Sequence, residues 1–526
     1  LSAAMSAGHI QRTYGDYRYA AVYTDTDPND PTRIILVYNR ASVPAAWDSG
    51  ITWNREHVWP ESRQPGSVSN STRGNMCDPH SLRPSNPSIN SSRGNKPFGF
   101  EDTTGPHGSV GSYYFPGDPD KGDIARSLFY SETRYGPSTG IVLVDAFPSG
   151  NQMGGLSSLV AWHYLDPPDE FERRRNHAVF SQQMNPSYYT NNRNAFVDLP
   201  ETVWSVFVDQ FNDTTLWLGE APALPGPDGG SVVQLTINAL VGQQPAPRAV
   251  TLNRRGQAGT YFEVRVSGPV ETSITGRHNA FAIGAWDNTR LLEITPAPGL
   301  TDEPGTVLAE VVVDNLDLTT GAGVGMGAQD ADDVVLVDLR VYQPAEPSFD
   351  PAETVTELLI DLGEIAPGSG DAVAAFDLFN LAPAGLGAPM DVDLVSAVGD
   401  TASLAVSFTP VVSLPAGDGE LFVASLSDGT EGDFEAVYTF RAFNDRGLFD
   451  QPGPGTDLVL RLTGRVGAGV CVPDLAAPFG VLNFFDVAAF MGLYTGQQPA
   501  ADLNGDGQLN FFDVSAYMAA FNAGCP

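Results

Sequence analysis

Two proline-rich stretches limit what this chain can fold into. Ala221 to Gly230 holds Pro222, Pro225 and Pro227 among glycines, and Gln343 to Pro351 holds Pro344, Pro347 and Pro351. Proline fixes φ and withholds an N–H, so neither stretch can cross the interior of a helix or a sheet. Both read as stiffened joints, and a chain of 526 residues divided there gives pieces that can each bury a core. Beyond the first joint, apolar residues alternate with polar ones. Phe262, Val264 and Val266 interleave with Glu263 and Arg265, and Val337, Leu339 and Val341 with Asp338 and Arg340. Leu404 to Phe408 and Leu458 to Leu462 repeat the period of two. Such strands pack one face inward, which predicts β-sandwich-like modules over 231–343 and 344–466. The run Gly321 to Gly327 lacks the lysine and following helix of a phosphate loop, and reads as a connection between strands.

The formal net charge of −35 is unevenly spread. Residues 1–225 carry 17 basic and 24 acidic groups, and the remainder carries 11 and 39. The acidity therefore belongs mainly to the β modules and the tail, where it keeps the chain soluble and favours Ca2+. The first piece is not basic either, so attraction for a polyanion has to come from a local arginine patch. No apolar run approaches transmembrane length, and no signal peptide is visible at Leu1.

Chemistry concentrates between residues 53 and 95. Trp53-Asn54-Arg55-Glu56-His57-Val58-Trp59-Pro60 is followed by Asp78-Pro79-His80-Ser81-Leu82 and by Asn90-Ser91-Ser92-Arg93-Gly94-Asn95. His57 is suited to take a proton from water, because imidazole titrates near ~6.5. Glu56 and Asn95 offer hard oxygens for Mg2+, which keeps several of its waters. Arg93 and Arg126 read either as phosphate contacts, since a guanidinium grips phosphate through two parallel bonds, or as structural pairs. Arg173-Arg174-Arg175 reads equally as a strand-binding patch or as a solvated helix face. His80 reads as a buttress, and His163, His177 and Cys77 as packing residues.

The runs NREHVWP, DPHSLRP and NSSRGNKPF carry a resemblance. They are followed in order by Gly122 to Arg126 with Phe129-Tyr130 and Arg134-Tyr135, then by Trp162 with Asp166-Pro167. Glu172 with Arg175-Asn176, and Asn192 to Phe196, complete the series. Together they resemble the endonuclease I family of secreted, non-specific nucleases, and the domain is assigned to residues 1–220. The resemblance implies an α+β His-Me finger (β-β-α metal) fold. His57 would activate water, with Mg2+ held by Glu56 and Asn95, and the products would carry 5′ phosphates. It also implies DNA or RNA or both as substrate, little sequence preference, and secretion with the leader already removed. Locally, Arg33 to Tyr38 is expected as a strand, and Ile51 to Trp53 begins the strand that delivers Glu56 and His57. Segment 60–85 reads as loop. Asn86 to Asn95 would open the helix that sets Asn95 across from His57. Ile124 to Tyr135, Leu159 to Tyr164 and Phe171 to Met184 read as helices.

The last module, 470–526, is informative again. Asp502 to Asp513 has the spacing of a 12-residue calcium loop, with Asp502, Asn504 and Asp506 at positions 1, 3 and 5. Gly507 makes the turn, Gln508 gives its carbonyl, Asn510 acts through water, and Asp513 closes the loop. The closing Asp makes the region similar to a dockerin type I repeat, implying a cohesin-like or cell-surface partner. Asn483 to Asp486 repeats the end of the motif, but Asp474 to Phe479 lacks the acidic spacing and reads as a relic without metal. Phe511, Val514, Met518 and Phe521 are expected to line the buried face of the following helix. Cys471 and Cys525 bracket the module and suggest a disulfide clasp, hence an oxidising compartment. The third module resembles, in texture, the immunoglobulin-like sandwiches of bacterial surface proteins. The whole then reads as a secreted or cell-surface multidomain endonuclease using Mg2+ and Ca2+. The alternative is a cell-surface scaffold or adhesion protein with a degenerate nuclease domain.

Overall fold

Glu56 and His57 are delivered by a short strand, Asn54–His57 (β1), that pairs antiparallel with Leu82–Ser85 (β2). The computed structural model describes residues 1–526 apart from 101–102, 209, 211, 221–229, 285–287, 320–329, 468–470 and 526. The first joint, save Gly230, and the run Gly321 to Gly327 therefore lie outside the described residues. β2 falls at the end of the segment expected to be loop. Its sequence, Leu-Arg-Pro-Ser, shows no alternation because all four residues are buried. Helix Pro87–Arg93 (α1) follows, capped by Asn86, whose side chain accepts from the Ser88 and Ile89 N–H groups. Gly94, at φ +60°, ends it, so Asn95 lies beyond the helix rather than within it. The strand expected at Arg33 to Tyr38 runs instead over Asp30–Ile35, and Tyr38 turns to φ +77°.

Helices Lys121–Thr139 (α2), Leu156–Leu165 (α3) and Glu170–Phe180 (α4) contain the expected stretches, though α4 stops short of Met184. Lys121 to Ser131 is buried on every side of α2. A helix so enclosed must pair its charged groups, and Asp123 and Arg126 do so. Around it pack Trp59, Phe98, Phe115, Trp162 and Phe196.

Two sheets form the first β module. One has the order Thr215–Leu218, Arg248–Arg255, Thr289–Pro296, Val270–Thr272. The other has the order Val232–Leu240, Asp333–Tyr342, Gly305–Asn315, Thr260–Ser267, Gly276–Phe281. Residues 1–236, 246–297 and 308–338 form one compact unit. Ala258, Tyr261, Ala280 and Leu316 of the β module join the same core as Ile124 and Trp162. Tyr164 donates to Asp317 at 2.9 Å, Tyr261 donates to the His163 carbonyl at 2.5 Å, and Arg277 pairs with Glu201. The N-terminal α+β region and the part of this β module that lies within the same unit thus share one core.

The second unit comprises 237–245, 298–307 and 339–526. Its sandwich has one sheet ordered Pro347–Ser348, Ala372–Asn380, Gly419–Leu426, Leu404–Val406. The other is ordered Glu357–Ile365, Thr456–Val466, Gly432–Asn444, Met390–Gly399, Val411–Leu414. Its first two strands are parallel. Phe376, Phe422, Phe440 and Leu460 fill the core.

In the tail, Cys471 and Cys525 are bonded, and Cys77, far away in sequence, is free and buried. Helices Phe484–Thr495 (α5) and Phe511–Ala523 (α6) carry the same capping box, from Asn483 with Asp486 and from Asn510 with Asp513. Phe490 stacks on Tyr517 at 4.0 Å. The buried stripe of α6 is Val514, Tyr517 and Phe521. Phe511 and Met518, expected inside, are exposed because Tyr517 takes the place facing α5. The two loops before these helices are close copies. The Gly480 N–H donates to Asp474 as that of Gly507 does to Asp502. Asp486 accepts from the Leu475 and Ala476 N–H groups as Asp513 does from those of Leu503 and Asn504. The first copy therefore keeps the loop architecture despite losing the acidic spacing. Among the described residues no helix is long and apolar enough to cross a membrane.

Candidate active site

β1 and α1 form one wall of an open cleft lined by Arg55, Glu56, His57, Glu61, Asn90 and Asn95. The three residues expected to carry the chemistry are thus brought to one place. Asn90 ties helix to strand, its Nδ2 donating to Asn54 Oδ1 at 2.9 Å.

His57 is buried, with Nε2 2.9 Å from the Met76 carbonyl. A carbonyl only accepts, so Nε2 carries the proton and Nδ1 is left as the basic nitrogen. Burial lowers the imidazole's pKa, and the ring is therefore neutral at neutral pH. Met76 belongs to a turn, Asn75–Cys77, that runs into Asp78. Asp78 is fully enclosed and accepts from Tyr130 at 2.6 Å and Tyr135 at 2.7 Å, both from α2. Burial opposes its charge, but His80, His9 and the Tyr130 hydroxyl outweigh it and hold the carboxyl below the usual range. His80 packs on Tyr130 and faces the Asn192 carbonyl at 3.2 Å, a buttress as expected.

Glu56 is buried and takes two hydrogen bonds on Oε1, from Tyr38 at 2.6 Å and Arg93 at 2.9 Å. Burial nevertheless raises its carboxyl pKa against the pull of Arg93 and Tyr38. Oε2 receives no hydrogen bond among the described residues, and neither does Asn95 Oδ1. Asn95 is exposed on the cleft, its carbonyl held by Arg63 Nε at 3.0 Å. Two unengaged hard oxygens on an open cleft fit an ion that keeps most of its water. Tyr38 is a site residue that sequence reading missed. Its left-handed backbone points the hydroxyl at Glu56, and only that positive φ, invisible in sequence, sets it apart.

Of the two readings of Arg93 and Arg126, the hydrogen bonds favour the structural one over the phosphate contact. Arg93 is 1% exposed, and its amino groups donate to Glu56, the His57 carbonyl and the Val58 carbonyl. It lines the cleft but is turned to bracing the strand. Arg126 is 0% exposed, with Nε on both Glu172 oxygens at 2.9 and 2.8 Å and Nη1 on the Asp166 carbonyl at 2.7 Å. Burial and full engagement leave it nothing for a ligand. The Arg173–Arg175 triplet forms no single patch, since Arg173 pairs with Glu170, Arg174 with the Thr26 carbonyl, and buried Arg175 with Asp25. His163 packs inside against the Pro200 carbonyl, whereas His177 is exposed.

In the tail loop, Asp502 Oδ1 is buried without a partner, which fits a cation. Asp513 has both oxygens taken by N–H groups, of Leu503 and Asn504 on one side and Asn510 on the other. Asn504 and Asp506 bond each other. Asp474 lies beside the Cys471–Cys525 pair, but the bonded sulfurs cannot act as thiolate ligands.

A histidine, a carboxylate and an amide thus share one open cleft. The family model for Endonuclease I matches residues 3–201. An extracellular ribonuclease of Bacillus amyloliquefaciens is 37% identical over 207 residues, 37% of this chain and 68% of that protein. One of Bacillus subtilis (strain 168) is 37% identical over 210 residues, with the same shares. The chain belongs to the endonuclease I family. Among solved structures, a protein of unknown function from Porphyromonas gingivalis W83 aligns over 46% of this chain and 100% of its own at 16% identity. Its TM-score of 0.18 is too low to bear on the fold.

Proposed function

We propose that the chain is a secreted, Mg2+-dependent endonuclease that hydrolyses phosphodiesters of DNA, RNA or both with little sequence preference. The observation that carries this reading is the His57 hydrogen bond to Met76, which frees Nδ1 on the cleft beside Glu56 and Asn95. His57 Nδ1 takes a proton from the attacking water. Glu56 Oε2 and Asn95 Oδ1 would hold Mg2+, which when bound neutralises charge developing on the phosphate and the leaving oxygen. Arg93 and Tyr38 hold the Glu56 carboxylate in place through Oε1. Secretion is supported by the extracellular relatives and by the disulfide. The tail is read as a dockerin-like module binding one Ca2+ at Asp502, Asn504, Asp506, Gln508 and Asp513, with a cohesin-like or cell-surface partner.

Plasmid DNA and RNA incubated with the chain should be cut in Mg2+, remain whole in EDTA, and remain whole with His57→Ala. Failure of the wild type to cut either polymer would favour the scaffold reading instead. Removal of Ca2+ with EGTA should lower the melting temperature of the tail, and Asp502→Asn should abolish that response.

A further inference from the structure

Two residues beside His57 have no part in the chemistry above. The Tyr14 ring lies along the imidazole, with centroids 5.1 Å apart and planes 12° apart. Arg55 precedes His57 by two residues in the same strand and so projects from the same face of β1. Its guanidinium carbon sits 3.6 Å from the centre of the Tyr14 ring. Its Nη1 donates to the Tyr14 carbonyl at 2.7 Å and to Asn70 Oδ1 at 3.1 Å. The Tyr14 N–H donates to the Thr72 carbonyl at 3.0 Å. Tyr14 is therefore gripped by ring, carbonyl and N–H while it lies against the imidazole. Its hydroxyl makes no hydrogen bond among the described residues, so the ring alone is in use.

Arg55 has another edge. No hydrogen bond or ion pair falls on Nε or Nη2 among the described residues, although the side chain is half-buried and lines the cleft. Another cation, Arg18, acts on it. A desolvated guanidinium without a carboxylate is an anion site, and its planar fork suits a phosphodiester better than an ammonium does.

We propose that Tyr14 is a positioning residue for His57 and that Arg55 couples it to the substrate. Nε and Nη2 take a backbone phosphate of the nucleic acid, which fixes the guanidinium. The guanidinium fixes Tyr14, and Tyr14 keeps the imidazole in the plane set by its bond to Met76. Strand binding and orientation of the base are then one event. This assignment rests on the nuclease reading above.

The test compares Tyr14→Phe, Tyr14→Leu, Arg55→Lys and Arg55→Gln in the full chain, with melting temperatures recorded for each. Turnover is measured on one RNA and one DNA oligonucleotide in Mg2+, and the His57 tautomer is read by 15N NMR. Tyr14→Phe should match wild type in kcat and tautomer. Tyr14→Leu should lower kcat roughly 10- to 100-fold with little change in KM, and should mix the two tautomers. Both Arg55 variants should raise KM and lower kcat together, and Arg55→Gln should reduce the salt slope by about 1. If Tyr14→Leu keeps wild-type kcat and a single tautomer, the positioning role is wrong. If the Arg55 variants change KM alone, the coupling is wrong. Inactivity of the wild type on both polymers would bring down the nuclease reading, while the tautomer comparison still decides the Tyr14 contact.

Discussion

Glu56 shows how one side chain can serve two masters at this site. Oε1 is spent on Tyr38 and Arg93, and that expenditure orients Oε2 for other use. Tyr38→Phe should therefore weaken Mg2+ binding about 10- to 100-fold, the usual effect of losing a group that orients a ligand. The Mg2+ concentration giving half-maximal cleavage reads this directly, and an unchanged value would remove Tyr38 from the site. Arg126 belongs to the opposite kind. Its removal strands Glu172 in the core, so Arg126→Ala should cost about 3–5 kcal/mol in urea unfolding, with KM unaltered in the folded protein. Glu56, His57 and Asn95 were legible because two are adjacent and the third sits in a distinctive run. Tyr38, Met76 and Tyr14 were not, since each meets the site across a chain reversal that composition does not record. Arginine type alone could not tell Arg55, open on the cleft, from Arg126, sealed in α2.

At the scale of elements, the amphipathic helices and alternating strands were readable because each buries one face. β2 was not, because an element buried all round loses the periodicity on which such reading depends. The stripe of α6 was hidden for the opposite reason: apolar Phe511, Phe512 and Met518 stand on its exposed side, and Tyr517 rather than Met518 faces its partner helix. α1 is short, and a helix of that length depends on its cap. Asn86→Ala should cost about 1 kcal/mol. It should also lower activity by loosening the turn at Gly94 that presents Asn95. Denaturant titration and a single-turnover assay separate the two effects, and Asn86→Ser should restore both.

For the whole molecule, the buried histidines set a limit on acid tolerance. His80 is pushed down to about 4 by burial, with Asp78 opposing only in part, and burial also takes His163 well below the usual value. Both fold as neutral rings and ionise near the ordinary value once unfolded. The unfolded chain therefore binds more protons below pH ~6.5, and stability falls as pH drops from there towards 4. For His80 alone the loss is about 3 kcal/mol. Melting curves between pH 7 and 4 should show it, and His80→Gln should flatten the slope in proportion.

The seam in which Tyr164, Tyr261 and Asp317 meet bears on what can be transplanted from this chain. Composition marks residue 220 as the place to cut, and the family match stops at 201. Yet a gene fragment ending there would lay Tyr164 and its neighbours open to water, and we expect it to aggregate and to bind hydrophobic dyes. The smallest portable block is the one that carries its own lining, which here reaches at least to Asp338. Ala258, Tyr261 and Leu316 belong to the same interior as the N-terminal helices, and a cassette swap that discards them would open that interior.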